Sequence, residues 1–190
     1  MIGDTGTIGA AVVRALGNAH EVVGASRRGP LAVDLAQPAS LDGLFGAVAE
    51  PDAVVCCAAS GPLVDLGSVT DEELAEGARG KLLGQIALAR RAVRHLRDGG
   101  SITLTGGTFA SPLPGGSLGA MINAGLEGFV RNAAAELPRG LRINVVSPGW
   151  VAETLEAMGA GGAGGTPVAE VARLYVRAVE GDAQGEVLRA

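Results

Sequence analysis

The segment Gly3-Asp4-Thr5-Gly6-Thr7-Ile8-Gly9 places glycines three residues apart, directly ahead of a stretch with helical spacing. Small residues at such a place let a backbone approach a pyrophosphate, and the helix N-terminus supplies free N–H groups and a partial positive charge. Gly3, Thr5, Gly6, Thr7, Ile8 and Gly9 are therefore expected to hold phosphate oxygens; the competing reading is a flexible tail before a helix. Further along, Gly24-Ala25-Ser26-Arg27-Arg28 falls where a dinucleotide site carries an acid for the ribose of NAD. No acid is present. A hydroxyl and two guanidiniums, Ser26, Arg27 and Arg28, suit instead the 2′-phosphate of NADP(H), which the planar fork of arginine matches. An ordinary solvated turn is the alternative.

Against 14 arginines the chain has one lysine, Lys81, a cation whose charge burial can tune. Cys56 and Cys57 are adjacent, so on a strand they point to opposite faces and do not bridge. They read as small core residues in a reducing compartment; metal-ligand spacing is absent. His20 and His95 fall near helix ends, where a histidine is favoured electrostatically, and no chemistry is assigned to them. Tyr175, the only tyrosine, lies on the last helix and reads as packing.

These residues need a frame. With 190 residues, 47% of them hydrophobic and 18% charged, a single domain spanning 1–190 with buried parallel strands is expected. A net charge of −5 without a Lys/Arg cluster argues against nucleic acid as the main partner. No apolar run reaches the roughly 18 residues that mark a bilayer span. With no secretory pattern either, no membrane partner and a cytoplasmic location are expected. Short apolar runs at Glu21–Ala25, Leu31–Val33, Ala53–Cys57, Ser101–Thr105, Leu141–Val146 and Glu186–Leu188 read as strands. Helical stretches at Ala10–Leu16, Leu41–Val48, Thr70–Leu96, Gly116–Leu137 and Pro167–Val179 alternate with them. Thr70-Asp71-Glu72-Glu73 is a capping box opening the first long helix. The alternation predicts a doubly wound, Rossmann-like parallel α/β sheet. One feature departs from it. The phosphate turn should follow a central strand, yet only Met1 and Ile2 precede Gly3. The first strand is thus expected to be truncated, with the natural protein beginning upstream or the gap filled by something else.

From end to end the chain resembles the short-chain dehydrogenase/reductase family. Val33-Asp34-Leu35 is similar to its adenine-contacting segment, and Val54–Ala59 stands where the family carries Asn-Asn-Ala-Gly. Lys81-Leu82-Leu83-Gly84 resembles Asn-Leu-x-Gly, and Arg142–Gly149 resembles Arg-Val-Asn-x-Val-x-Pro-Gly. Gly185–Leu188 is similar to the closing strand. The resemblance implies NADP(H) contacts from Asp34, Leu35, Ala58, Ala59, Pro148, Gly149, Val151 and Thr154, with Trp150 near the nicotinamide end. It also implies a homodimer or homotetramer built through the two long helices, with Gly77, Gly80, Gly84, Ala120 and Ala124 permitting close approach.

The family's chemistry uses a tyrosine, a lysine four residues later, and a serine after the preceding strand. Alignment through Ala124–Phe129 puts the lysine position at Asn123, the tyrosine position at Gly119 and the serine position at Gly106 or Gly107. A glycine has no proton to give, so the usual mechanism does not run. The family's catalytic asparagine falls on Lys81, so Lys81 and Asn123 have traded places. Lys81 and Asn123, with Thr108 as the stand-in for the serine among Thr105, Thr108, Ser111 and Ser117, are the expected catalytic residues. Three readings follow: an NADP(H)-dependent oxidoreductase of a small carbonyl or alcohol with a relocated acid; an NADP(H)-binding protein without turnover, such as a redox sensor or complex subunit; or a lyase or isomerase reusing the cleft. No metal is expected.

Overall fold

A computed structural model describes residues 1–59, 61 and 63–190. Four parallel strands, β1 (Ala53–Val55), β2 (Ser101–Thr105), β3 (Arg142–Val146) and β4 (Val187–Leu188), pair in that order. Every residue of β2 is buried, as expected of a strand covered on both faces. Among the described residues seven α-helices accompany the sheet: α1 (Thr7–Leu16), α2 (Pro38–Ala47), α3 (Asp71–Ala78), α4 (Gly84–His95), α5 (Ser117–Ala133), α6 (Ala152–Ala157) and α7 (Val168–Glu180). One core layer joins Leu44 and Phe45 of α2, Leu88 of α4 and Leu126 and Val130 of α5 to Ile102 and Leu104 of β2. The other joins Val12 of α1 and Val171 and Tyr175 of α7 to Val146 and Leu188. Helices on both faces of a parallel sheet make the doubly wound, Rossmann-like architecture.

Beyond β1 the sheet continues through single residues. Ile2 bridges Cys56 on one side and Ala25 on the other, and Ser26 bridges Ala32. Met1 and Ile2 hold the central place between β1 and Ala25. Ile2 donates to the Val55 carbonyl at 2.8 Å, Cys57 donates to the Ile2 carbonyl at 2.8 Å, and Ala25 donates to the Met1 carbonyl at 2.8 Å. Within Glu21–Gly24 the Val23 carbonyl accepts the Met1 nitrogen at 2.7 Å, and no ladder forms there among the described residues. The strands expected at Glu21–Ala25 and Leu31–Val33 accordingly shrink to these isolated bridges.

The expected helix over Thr70–Leu96 is instead three pieces. α3 opens on the capping box, with the Glu73 amide donating to Thr70 Oγ1 at 3.2 Å and the Thr70 amide donating to Glu73 Oε2 at 2.8 Å. A π-helical turn, Arg79–Leu83, separates it from α4. The second long helix ends at Ala133, short of the expected Leu137. The short α6 was not expected: six residues beside a glycine-rich run show too few turns for a helical period to register.

Candidate active site

The carboxyl ends of Ile2, β1, β2 and β3 share one edge of the sheet, which is where ligands of open α/β sheets bind. The glycine turn sits there. Gly3 has φ +81, and a Cβ on it would come within 2.7 Å of the Ala58 amide nitrogen. A Cβ on Gly9 would overlap the Gly3 carbonyl. Gly6 is the N-cap of α1 and offers no side-chain cap, and Thr5, Gly6 and Thr7 are exposed. The first amides of α1 are therefore left facing outward. Ile8 is half-buried against the α1–α7 core layer.

Asp4 folds its carboxylate against Gly24, where any Cβ would overlap it. Asp4 Oδ1 and Ser26 Oγ are both buried without a hydrogen-bond partner among the described residues. Buried polar atoms without partners are uncommon and call for an explanation, a ligand being one. Arg27 and Arg28 extend from the same turn into solvent. Asp34 is held in its own turn: Oδ1 accepts from the Ala36 amide at 3.0 Å, and its amide donates to Ser40 Oγ at 2.7 Å. Leu35 packs against Gly84, where a Cβ would come within 2.7 Å of the Leu35 carbonyl oxygen. Ala58 and Ala59 follow β1 and are half-buried.

Lys81 lies in the π-helical turn and crosses to α5. Its Nζ donates to Asn123 Oδ1 at 2.8 Å and to the Gly106 carbonyl at 3.1 Å. Burial pulls its pKa from the ordinary 10.5 down to about 8. Asn123, on α5, is buried. Lys81 and Asn123 thus touch. Gln85, one helical turn beyond Lys81, explains how the turn is held. Its Nε2 donates to the Lys81 carbonyl at 3.1 Å and the Thr105 carbonyl at 2.9 Å, while its Oε1 accepts the Thr105 amide at 2.8 Å. A wholly buried amide thereby ties the π turn to the end of β2.

Gly106 and Gly107, the two candidates for the serine position, face different neighbours. A Cβ on Gly107 would point at the Asn123 amide, 3.1 Å from Nδ2. A Cβ on Gly106 would meet Ser147 Oγ at 2.6 Å, and Ser147 is occupied with Glu127. Gly106 therefore meets the Lys81–Asn123 pair through its carbonyl, and Gly107 faces it from the Cα side. At Gly119, a Cβ would lie 3.4 Å from the ring of Phe109, so an aromatic side chain from a neighbouring loop stands over that glycine. Thr108 is half-buried; its amide donates to the Pro148 carbonyl at 2.9 Å, and its hydroxyl bonds to neither Lys81 nor Asn123. Thr105 is no cleft hydroxyl. It is buried, donating to the Cys56 carbonyl at 2.5 Å and sharing a hydrogen bond with Tyr175 Oη at 2.6 Å. Ser111 and Ser117 are exposed.

Pro148 and Val151 are buried, Gly149 and Thr154 half-buried, and Trp150 is exposed at the same edge. Tyr175 packs at the core and also caps Thr105, a polar duty that its reading as packing left out. His20 pairs with Glu180 at 2.9 Å and His95 stacks on Phe45, away from the cleft. Both cysteines are free, and burial pushes the Cys56 thiol up to about 12. Among the described residues no group of three or more His, Cys, Asp or Glu could hold a metal ion. No helix there is long and apolar enough to cross a membrane. Gln85 and Phe109 were missed in the sequence. Gln85 carries one signal, an uncharged amide one turn after the sole lysine; Phe109 carries none.

A parallel sheet wound on both faces, with a glycine turn and a lysine–asparagine pair at its carboxyl edge, defines a nucleotide-binding type of α/β domain. A sequence model described as enoyl-(acyl carrier protein) reductase matches residues 8–180. The chain belongs to the short-chain dehydrogenase/reductase family. Among solved structures, the protein lin1944 from Listeria innocua is similar at 35% identity and a TM-score of 0.94, over 100% of this chain and 96% of that one. A small-chain dehydrogenase is similar at 26% identity and a TM-score of 0.85, over 100% and 93%. A small-chain dehydrogenase in complex with NADPH shares the fold at 24% identity and a TM-score of 0.85, over 100% and 94%. No protein of curated function matches the chain.

Proposed function

We propose that this protein is an NADP(H)-dependent oxidoreductase of small carbonyl or alcohol substrates, in which Lys81, steadied by Asn123, takes over the proton handling done elsewhere in the family by tyrosine. The observation that carries this is the 2.8 Å contact between Lys81 Nζ and Asn123 Oδ1 beside Gly107. The residues present fit the cofactor. The open N-terminus of α1 suits a pyrophosphate, and the unpartnered Asp4 Oδ1 and Ser26 Oγ suit hydroxyl and phosphate groups of an adenosine ribose. Arg27 and Arg28 supply the charge for a 2′-phosphate. Asp34, Leu35, Ala58 and Ala59 would line the adenine side, and Pro148, Gly149, Val151 and Thr154 the nicotinamide side. The bound nicotinamide supplies or accepts a hydride.

This chain's own part is the proton. The Lys81 ammonium has three N–H donors, and two are spent on Asn123 and Gly106. The third is left to give to a substrate oxygen or a ribose hydroxyl. A pKa near 8 keeps the group mostly protonated at pH 7 yet able to release its proton. Glycines at 107 and 119 favour a second reading, an NADP(H)-binding protein without turnover, because neither contributes a hydroxyl. Self-association through the outer faces of α3, α4 and α5, and work in a reducing cytoplasm where both thiols stay free, complete the proposal.

Binding and turnover test it together. NADPH is expected to bind at least tenfold tighter than NADH. Each charge-assisted arginine contact is worth about 1.5–3 kcal/mol, so Arg27→Ala with Arg28→Ala should erase the preference. Equal dissociation constants for the two cofactors defeat the assignment. A steady-state screen of NADPH oxidation with simple ketones and quinones then separates the readings: binding without oxidation selects the protein without turnover.

A further inference from the structure

The chain's only lysine brings its amine to the carboxyl end of β2, where Gly106 follows Thr105. Lys81 is half-buried, and both groups that hold Nζ are uncharged acceptors: Asn123 Oδ1 at 2.8 Å and the Gly106 carbonyl at 3.1 Å. A lysine nitrogen has four tetrahedral directions, and Cε takes one. Two N–H groups fill two more, each against its acceptor. When the ammonium releases its third proton, both remaining hydrogens stay bonded and the lone pair takes the fourth direction.

Little around the amine holds that proton on. Among the described residues no ion pair includes Lys81. Burial without a compensating charge draws its pKa down to about 8. At pH 7 about one amine in ten is then neutral, against fewer than about one in a thousand for a solvated lysine. Nor does a neighbour cover the lone pair. Gly107 faces the pair from its Cα side and brings no hydroxyl, and the Thr108 hydroxyl bonds to neither Lys81 nor Asn123. A half-buried amine with an uncovered lone pair is a nucleophile toward carbonyl carbon.

We propose that Lys81 captures carbonyl compounds covalently: the cleft takes up a small aldehyde or ketone as an imine on Nζ, with no hydride transferred. The Nζ lone pair adds to the carbonyl carbon while the C–O π pair moves to oxygen. One proton passes from nitrogen to that oxygen, giving a carbinolamine. The hydroxyl then leaves with the second nitrogen proton as water, and the C=N bond forms. Protonated from solvent, the imine keeps one N–H for Asn123 Oδ1, and water reverses the capture. Of the oxidoreductase reading this retains only the small carbonyl substrate; NADPH takes no part.

The test runs on the full chain at pH 7 without NADPH, with propanal or acetone and sodium cyanoborohydride to trap the imine as a secondary amine. Peptide mass spectrometry should find a propyl or isopropyl group on Lys81, formed at least about tenfold faster than on free Nα-acetyl-lysine. The urea-unfolded chain should react at the rate of the free amino acid. Asn123→Asp sets a carboxylate against Nζ, keeps the ammonium charged and should slow capture at least about tenfold. If that variant loses its circular dichroism spectrum, the native chain against the unfolded one decides alone. A native rate no faster than that of Nα-acetyl-lysine overturns the proposal, whether or not the protein oxidises NADPH. An unchanged rate in folded Asn123→Asp overturns it too. Rapid trapping on Lys81 in a protein that never oxidises NADPH upholds it and removes the oxidoreductase reading alone.

Discussion

An ammonium group drawn out of water and given two fixed acceptors, Asn123 Oδ1 and the Gly106 carbonyl, is held in place but stripped of solvent stabilisation. Burial is the cause of the low Lys81 pKa, about 8 against 10.5. The sign for stability follows. Between pH 8 and 10.5 the unfolded chain binds more protons at this lysine than the folded one, so stability should rise with pH across that window. Below pH 8 the penalty is fully present. Lys81→Met should flatten the rise. Because Lys81 is the only lysine, Cε-labelled lysine gives one resonance whose midpoint reads the value directly; a midpoint near 10.5 would refute it. Contact at 2.8 Å also demands coupling. Lys81→Asn, Asn123→Lys and the double exchange should give a coupling of about 0.5–3 kcal/mol in NADPH affinity. Additive effects would make Lys81 an ordinary surface lysine. Lys81 and Asn123 could be singled out in the sequence, through the rarity of lysine and the family pattern. That Gly106 meets them with its carbonyl and Gly107 with its Cα side could not be read there, because glycine carries no side chain to betray its direction.

At the scale of elements, the decisive feature is the π-helical turn Arg79–Leu83. A single widened turn re-aims the side chains it carries, and such turns recur at functional sites. It lies inside a stretch whose apolar spacing reads as one continuous helix, because one extra residue among seven turns barely disturbs a 3.6-residue period. The capping box at Thr70 was legible because a cap is local chemistry. Gln85 is what makes the turn tolerable, giving the Thr105 backbone both a donor and an acceptor inside the core. Gln85→Leu keeps the volume and removes the partners. It should destabilise the protein by about 2–4 kcal/mol in urea unfolding, as expected when buried backbone groups lose their bonds. A loss under about 0.5 kcal/mol would show that the turn is held by packing alone.

For the whole molecule, the central strands were legible from their apolar runs, whereas the strands flanking Met1 were not. Pairing there depends on a neighbour two residues long, a fact about the assembled sheet that no local pattern carries. The small residues of the long helices divide in the same way. Gly84 lies against the Leu35 backbone and a Cβ on Gly77 would meet Leu118 at 2.9 Å, so both are used inside the chain, where close approach is already taken. Gly80 faces open space, and Ala120 and Ala124 are exposed. Beside them Leu83 and Met121 are 54% and 53% exposed, large apolar side chains on the faces expected to self-associate. Covering such residues together with small neighbours is what a helix-to-helix interface between copies would do. Light scattering at micromolar concentration should therefore return a multiple of 18.8 kDa. Leu83→Glu with Met121→Glu should return the single-chain mass with an unchanged circular dichroism spectrum, since neither residue belongs to the buried core. A single-chain mass for the unaltered protein would end the self-association reading, and a multimer surviving both substitutions would move the interface off these two helices.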